Sequence, residues 1–332
     1  PNTGEILSMV GKRVEYDAQG KMYLADYSYG TFTTAYEIGS TVKGATLLTG
    51  YREGAVTIGT TQVDEPIILG ENLVKSSIFN RSGRMTMDDL MALEQSSNVY
   101  MFKIAMTMGG LSYYPYIGIA SLLRDDTLQR LRNGYAQVGL GVPTGVDLPG
   151  ETAGVIGVPD SPGKVLDITI GQFDTYTPLQ LVQYVSTIAN GGYRVQPRLL
   201  KEIRKPSKDG ETLGSLVEEI KPKILNRLDN TQDEIDRVRE GFRRVYYGAR
   251  GTARSNFANT AYTAAGKTGT AEVVYFGPQE DRYFTNTINL VHVGFAPFDK
   301  PEVAYAVVIP WASINLNPSV YYNNTIARQA LD

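Results

Sequence analysis

The sequence predicts an α+β fold, in which an antiparallel sheet carries helices packed on it. Three observations predict it. Strand patterning opens the chain at residues 6–10, and helical spacing dominates the middle. Three strand-like segments then close it at 267–274, 286–295 and 303–309, with turn residues between them. Consecutive strands joined this way pair as antiparallel neighbours, and a run of helices before them has a sheet to cover. The 332 residues are 42% hydrophobic and 20% charged, enough for a sizeable core in one mixed domain.

The elements follow in order. Asn2-Thr3-Gly4 is a turn that leads into the strand at 6–10. Residues 11–38 are rich in Tyr, Gly and Thr and lack a helical period. A helix starts near Ser40, a good capping or first-turn residue, and runs through Leu48. Residues 50–86 are turn-rich, with strand-like 55–58 and 66–69. Thr86 caps a helix over 87–95, where Met87, Leu90, Met91 and Glu94 share a face. Ser96-Ser97 breaks it from a second helix over 98–108. Further helices are expected at 120–132, 178–190 and 233–247, the second opened by Pro178 and closed by Gly191-Gly192. Residues 201–232 are charged and hold Pro206, Gly210, Gly214 and Pro222, a surface excursion. Because the chain opens on a turn and closes inside a helical stretch at 325–332, residues 1–332 read as one domain excised from a longer protein.

Composition excludes several kinds of chemistry. There is no cysteine and one histidine, His292, so thiol catalysis, disulfides and a Cys/His zinc site are ruled out. No metal or cofactor is expected. The net charge of −3 gives no reason to expect nucleic acid or an anionic membrane as a partner. No apolar run is long enough to span a bilayer.

Three patterns carry chemistry that needs no histidine. In Ser40-Thr41-Val42-Lys43, residues i and i+3 of a helix lie on one face, with Cβ atoms roughly 5–6 Å apart. A serine hydroxyl needs a base to become a nucleophile, and a lysine made neutral by burial or by a second cation can be that base. Ser161-Pro162-Gly163-Lys164 has the same spacing, but Pro and Gly predict a turn there. In Ser96-Ser97-Asn98, a hydroxyl and a carboxamide two apart between helices can relay a proton and bind an amide. Ser313-Ile314-Asn315 repeats that spacing. In Gly266-Lys267-Thr268-Gly269-Thr270-Ala271, small residues open a strand along whose edge a peptide can add, and Lys267 offers charge to a carboxylate. The P-loop pattern lacks its first glycine there. Read singly, each pattern has a plainer account: Ser40 and Ser96 as helix caps, Lys43 as a solvated charge, 266–271 as a turn. Read jointly, in the order Ser40, Ser96, Lys267, they form the trio of serine β-lactamases and penicillin-binding proteins.

The chain resembles the transpeptidase domain of a class B, monofunctional penicillin-binding protein over essentially its whole length. The likeness includes Ala35-Tyr36-Glu37-Ile38-Gly39 before Ser40, with Ile38 where many members have proline. It extends to Tyr135-Ala136-Gln137-Val138-Gly139-Leu140-Gly141 and Thr144-Gly145-Val146-Asp147-Leu148-Pro149. It also covers Ile170-Gly171-Gln172, with Phe173 in place of the usual glycine, and Thr177-Pro178-Leu179-Gln180-Leu181. Within the family it is most similar to the 2b type of streptococci and their Gram-positive relatives.

The resemblance implies a penicillin-binding transpeptidase and serine β-lactamase-like fold, with a mostly helical lobe beside the sheet. It implies a D,D-transpeptidase that cross-links peptidoglycan stem peptides, releases D-Ala and is acylated by β-lactams. Ser40 would be the nucleophile and Lys43 the base; Ser96 would relay a proton and Asn98 would hold Lys43 and the substrate amide. Lys267, Thr268, Gly269 and Thr270 would form the substrate edge, with the backbone N–H groups of Ser40 and Thr270 as oxyanion hole. It further implies an extracellular location on a bacterial membrane anchor, with wall-synthesis membrane proteins including a glycosyltransferase as partners. A β-lactam-sensing domain, a D,D-carboxypeptidase and a β-lactamase share the Ser40 chemistry. The Glu-x-x-Leu-Asn string of one β-lactamase class is absent. His292 and Trp311 are expected to pack, and 275–285 is either a plain hairpin turn or a loop beside the cleft.

Overall fold

The computed structural model describes every residue except 71, 72, 208, 209, 315, 317 and 319. Asn315, half of the second Ser-x-Asn match, therefore lies outside the described residues.

Three antiparallel strands build the sheet. Asn286–Ala296 runs between Ala265–Val274 and Val303–Ser313. The central strand is buried on both faces, which explains its almost unbroken apolar run. Alternation divides it cleanly. Val291, Val293 and Phe295 enter the main core. On the other face, Ala296 joins Tyr246, Phe257 and Ala327 in a smaller cluster, where Tyr305 and Val307 of the neighbouring strand also pack. Val303–Ser313 is an edge strand and tolerates Pro310, next to a register shift between Ile288 and Leu290.

The helical lobe is organised around Lys43–Arg52. This helix is buried from Lys43 to Tyr51 and packs against Asn98–Met108, Thr127–Gln137 and Gln232–Tyr247. Gln232–Tyr247 bridges lobe and sheet. Its buried Ile235, Val238, Phe242, Val245 and Tyr246 recur at helical spacing, and Thr231 with Glu234 forms a capping box. The Pro178–Ala189 helix has a capping box at Thr177 and packs on the central strand Asn286–Ala296 and the edge strand Val303–Ser313.

Several sequence expectations change. Residues 6–10 form no strand: Leu7 and Val10 are exposed, and the segment is tied down by a bridge from Glu5 to Arg198 and by Ile6 and Met9 packing against Phe32, Val146 and Leu179. The first strands are Lys12–Tyr16 and Met22–Asp26, paired with each other. Residues 55–58 form no strand, because Ala55 and Val56 N–H turn back to Gly50 O and close the preceding helix. Asp88, not Thr86, caps Asp89–Glu94 by accepting from Met91 N–H; Thr86 sits in the short strand Met85–Met87. The helix expected at 120–132 divides into the 3₁₀ turn Ala120–Leu123 and the helix Thr127–Gln137. Pro162–Ile168 is a helix rather than a turn, with Pro162 in its first turn. The excursion at 201–232 carries two short surface pairings, Glu202–Arg204 with Leu216–Glu219 and Ile224–Arg227 with Tyr193–Val195.

Candidate active site

Ser40 sits in a 3₁₀ turn, Gly39–Val42, that feeds directly into the helix beginning at Lys43. Two glycines let backbone crowd around it. Gly39 has φ +54°, and a Cβ there would lie 2.3 Å from Thr270 O. At Gly269 a Cβ would lie 2.4 Å from Ile38 O and 2.9 Å from Thr41 Cγ2. The sequence reading expected Gly269 to admit a substrate backbone; what approaches it here is the chain's own serine turn. The turn is pinned further by Gly39 N–H donating to Gly171 O at 2.9 Å and by Tyr184 OH donating to Thr41 O at 3.0 Å.

The N–H of Ser40 lies in the first turn, where no intrahelical acceptor exists. Thr270 O faces Gly39, and in a strand a residue's N–H and C=O point the same way. Ser40 itself is partly exposed, while Thr41, Val42 and Lys43 are buried.

Lys43 Nζ reaches Asn98 Oδ1 at 2.6 Å, Ser96 O at 2.7 Å and Ser96 Oγ at 3.1 Å. Lys267 Nζ approaches the same hydroxyl from the strand, at 2.9 Å, and donates to Thr268 O at 3.0 Å. Both ammonium groups are completely buried. Burial drives the pKa of Lys43 well below the usual lysine range, the charge of Lys267 lowers it further, and Asp64 opposes the shift. Burial alone brings Lys267 down to about 7. A neutral amine keeps two N–H donors and gains a lone pair. In its neutral form Lys43 has two donors, matched by Asn98 Oδ1 and Ser96 O, and one lone pair.

Ser96 adopts φ +61°, an uncommon conformation for a non-glycine residue and one that concentrates at functional sites. It is held between two helices, and Ser97 caps the second by accepting from Tyr100 N–H at 3.0 Å. Strand alternation turns Lys267 into the main core and Thr268 to the other side, where Thr268 Oγ1 lies 2.7 Å from Thr252 Oγ1.

Ser40, Lys43, Ser96, Asn98 and Lys267, scattered over more than two hundred residues, are thus brought into one locus with the strand edge of Thr268, Gly269 and Thr270. Ser161 and Lys164 are elsewhere: Lys164 Nζ pairs with Asp160 at 2.8 Å on the surface. Sequence reasoning missed Asp64, Ser77 and Asn80, which lie beneath the Ser96 turn. Only an unusual concentration of short polar residues between 60 and 98 hinted at them, and no spacing linked them to the site.

The family described as "Penicillin binding protein transpeptidase domain" matches residues 1–332. The chain belongs to this family. Penicillin-binding protein H of Bacillus subtilis is 44% identical over the whole chain, which spans 44% of that relative. Penicillin-binding protein 2B of Streptococcus pneumoniae is 35% identical over 93% of the chain and 45% of its own length. A solved structure of that protein from strain R6 superposes with TM-score 0.89 at 33% identity, covering all of this chain and 52% of the other. The chain therefore spans about half the length of the curated relatives it matches. These likenesses place it with the class B transpeptidase domains, and the fold is the one the penicillin-binding family shares.

Of the remaining sequence candidates, His292 and Trp311 are packed. His292 is fully buried, held neutral with its pKa lowered to about 3 by burial. Its Nδ1 lies 2.9 Å from Asn324 Oδ1, and its Nε2 lies 2.6 Å from Tyr246 OH. Trp311 packs edge-on to Tyr36 and Tyr275. The 275–285 connection holds one 3₁₀ turn, Glu280–Arg282, and exposes Phe276 and Phe284, whose rings meet edge to face at 5.4 Å. Among the described residues, no helix is long and apolar enough to cross a membrane.

Proposed function

We propose that this domain is a peptidoglycan D,D-transpeptidase acting through a Ser40 acyl-enzyme. One observation carries the reading: two buried lysines, Lys43 and Lys267, meet at Ser96 Oγ, and the partly exposed Ser40 precedes Lys43 by three residues in the turn that packs on the Lys267 strand. In this reading, Ser40 Oγ attacks the penultimate carbonyl of a D-Ala-D-Ala terminus and neutral Lys43 takes its proton. The tetrahedral oxyanion lies between the N–H groups of Ser40 and Thr270, each donor worth about 10²–10³ in rate. Ser96 delivers a proton to the departing D-Ala nitrogen as the C–N bond breaks. An amine of a neighbouring stem peptide then attacks the ester and frees Ser40. Lys267 and Thr268 receive the terminal carboxylate, and Asn98 holds Lys43 and the substrate amide. A β-lactam acylates Ser40 in the same way and, having no departing fragment, stays attached.

Membrane-anchored wall enzymes are the context that the family supports, and the proposed location is the outer face of a bacterial plasma membrane. A relative from Helicobacter pylori, 23% identical with TM-score 0.64, has been solved as a complex with MreC. By extension we propose wall-synthesis membrane proteins, a glycosyltransferase among them, as partners of the whole protein.

The test is mass spectrometry after incubation with penicillin, followed by peptide mapping. One adduct on Ser40, absent in Ser40→Ala, is the expected result. Rapid nitrocefin turnover instead of stoichiometric capture would assign the site to a hydrolase. An adduct elsewhere would remove Ser40 as nucleophile.

A further inference from the structure

A buried carboxylate that the chemistry above does not use lies directly beneath the Ser96 turn. Asp64, in the short strand Gln62–Asp64, is 1% exposed. Its Oδ2 accepts from both Ser77 Oγ and Ser97 Oγ at 2.5 Å, and its Oδ1 accepts from Asn80 Nδ2 at 2.9 Å. Asn80 Nδ2 also donates to Asp64 O at 2.8 Å, which fixes the carboxylate's orientation.

Each hydroxyl that bonds Asp64 has a second task. Ser97 Oγ accepts from Tyr100 N–H, and Ser77 Oγ accepts from Asn98 N–H at 2.9 Å and Val99 N–H at 3.3 Å. These are the first backbone donors of the Asn98–Met108 helix, the ones that have no partner inside the helix. By donating to Asp64, both hydroxyls are left with their lone pairs turned to the helix. The carboxylate thus caps the helix at one remove, where negative charge is favoured. Ser96 and Asn98 flank the capped residue on either side, and they supply all three acceptors of Lys43.

We infer that Asp64 is a positioning residue of the Ser40 reaction: through Ser77 and Ser97 it sets the Ser96-Ser97-Asn98 turn that holds Lys43. The inference rests on the transpeptidase reading above. Two further consequences follow from burial. With two acceptors serving three donors, a carboxamide cannot replace the carboxylate without facing one N–H toward a donor. The charged groups around Lys43 and Asp64 are Lys267 on the edge strand, Lys103 on the Asn98–Met108 helix, and Glu65 with Arg84 beside the Gln62–Asp64 strand. Lys103 Nζ is already engaged with Val63 O at 2.7 Å. Asp64 is the group that opposes the lowering of the Lys43 pKa.

The experiment compares penicillin acylation rates of the parent, Asp64→Asn and Ser77→Ala from pH 5 to 9, with the melting temperature recorded for each. The parent must first acylate on Ser40; if it does not, the functional reading fails and Asp64 is not at issue. Misplacement of a catalytic group by about 1 Å costs about 10²-fold, so Asp64→Asn is expected to acylate about 10²-fold more slowly at pH 7. Its rising limb should also move to lower pH, because Lys43 loses the charge that favours its protonated form. Ser77→Ala keeps the charge and loses one support, so it should slow without any displacement of the limb. A folded Asp64→Asn with the parental rate and profile overturns the inference. If Asp64→Asn does not fold, Ser77→Ala decides, and a parental rate there overturns it equally. A melting temperature that falls while rate and profile stay parental would make Asp64 a stability residue only, which also overturns it.

Discussion

Two segments of this chain have the same Ser-x-x-Lys spacing and both begin a helix, yet one lies in the candidate site and the other on the surface. Ser40 to Lys43 is a 3₁₀ turn wedged between the Ala265–Val274 strand and Gly171. Ser161 to Lys164 starts the Pro162–Ile168 helix with an extended Ser161 that caps nothing. Lys43 is 0% exposed, and Ser96 and Asn98 take its donors. The Lys164 side chain is 40% exposed and pairs with Asp160, itself largely in solvent. Spacing is common to both, so spacing is not the signal. What differs is desolvation, joined at Lys43 by the neighbouring charge of Lys267, and both favour a neutral amine.

The comparison can be broken by substitution at matching positions. Ser40→Ala should abolish the penicillin adduct, while Ser161→Ala should leave it unchanged, both read by mass spectrometry. Lys43→Arg keeps charge but cannot act as a neutral base, so acylation should fall by about 10²–10⁴-fold. Lys164→Arg should acylate at the parental rate; an equal loss there would mean that burial is not what separates the two lysines. Removing the strand's lysine, Lys267→Ala, should slow acylation by a carboxylate-bearing β-lactam by about 10²-fold.

The buried lysines also give a pH dependence whose sign is fixed. Lys267 has a folded-state pKa of about 7, below its unfolded value. Its burial therefore costs stability in full below pH 7, and that cost shrinks as pH rises toward the unfolded value. Lys267→Met should be more stable than the parent at pH 6, with the difference closing by pH 10, as read by urea denaturation. A difference that does not vary with pH would mean that Lys267 titrates alike in the folded and unfolded chains.

The smallest effects come from two glycines, Gly39 in the serine turn and Gly163 in the Pro162–Ile168 helix. Gly39→Ala places a Cβ against Thr270 O at positive φ, so it should destabilise by about 1–3 kcal/mol. At Gly163 the nearest atom to an added Cβ is Lys75 Cε at 3.6 Å, ordinary contact. Gly163→Ala should stabilise by about 0.4–1 kcal/mol, because alanine loses less backbone freedom in a helix. Thermal melts of the two variants should move in opposite directions.

Local signals gave the sheet and most helices because strands and amphipathic helices repeat within a few residues. The Asn98–Met108 helix begins and ends where the sequence placed it, and the three sheet strands each extend only a few residues further. Local signals failed where tertiary contacts decide. Residues 6–10 are apolar apart from Ser8, yet Leu7 and Val10 meet no strand edge. Pro162-Gly163 suggested a turn, yet proline at a first helical position starts a helix as readily.

By itself the sequence determined which residue types are available. It holds a serine, lysines and an asparagine in a fixed order, no cysteine, and one histidine on an apolar strand. Tertiary structure decided which lysine is desolvated, what Gly269 accommodates and where Asp64 lies. The physical reason is that a pKa and a close backbone approach depend on neighbours. Those of Lys43 come from positions 64, 96, 98 and 267, which only the folded chain brings together.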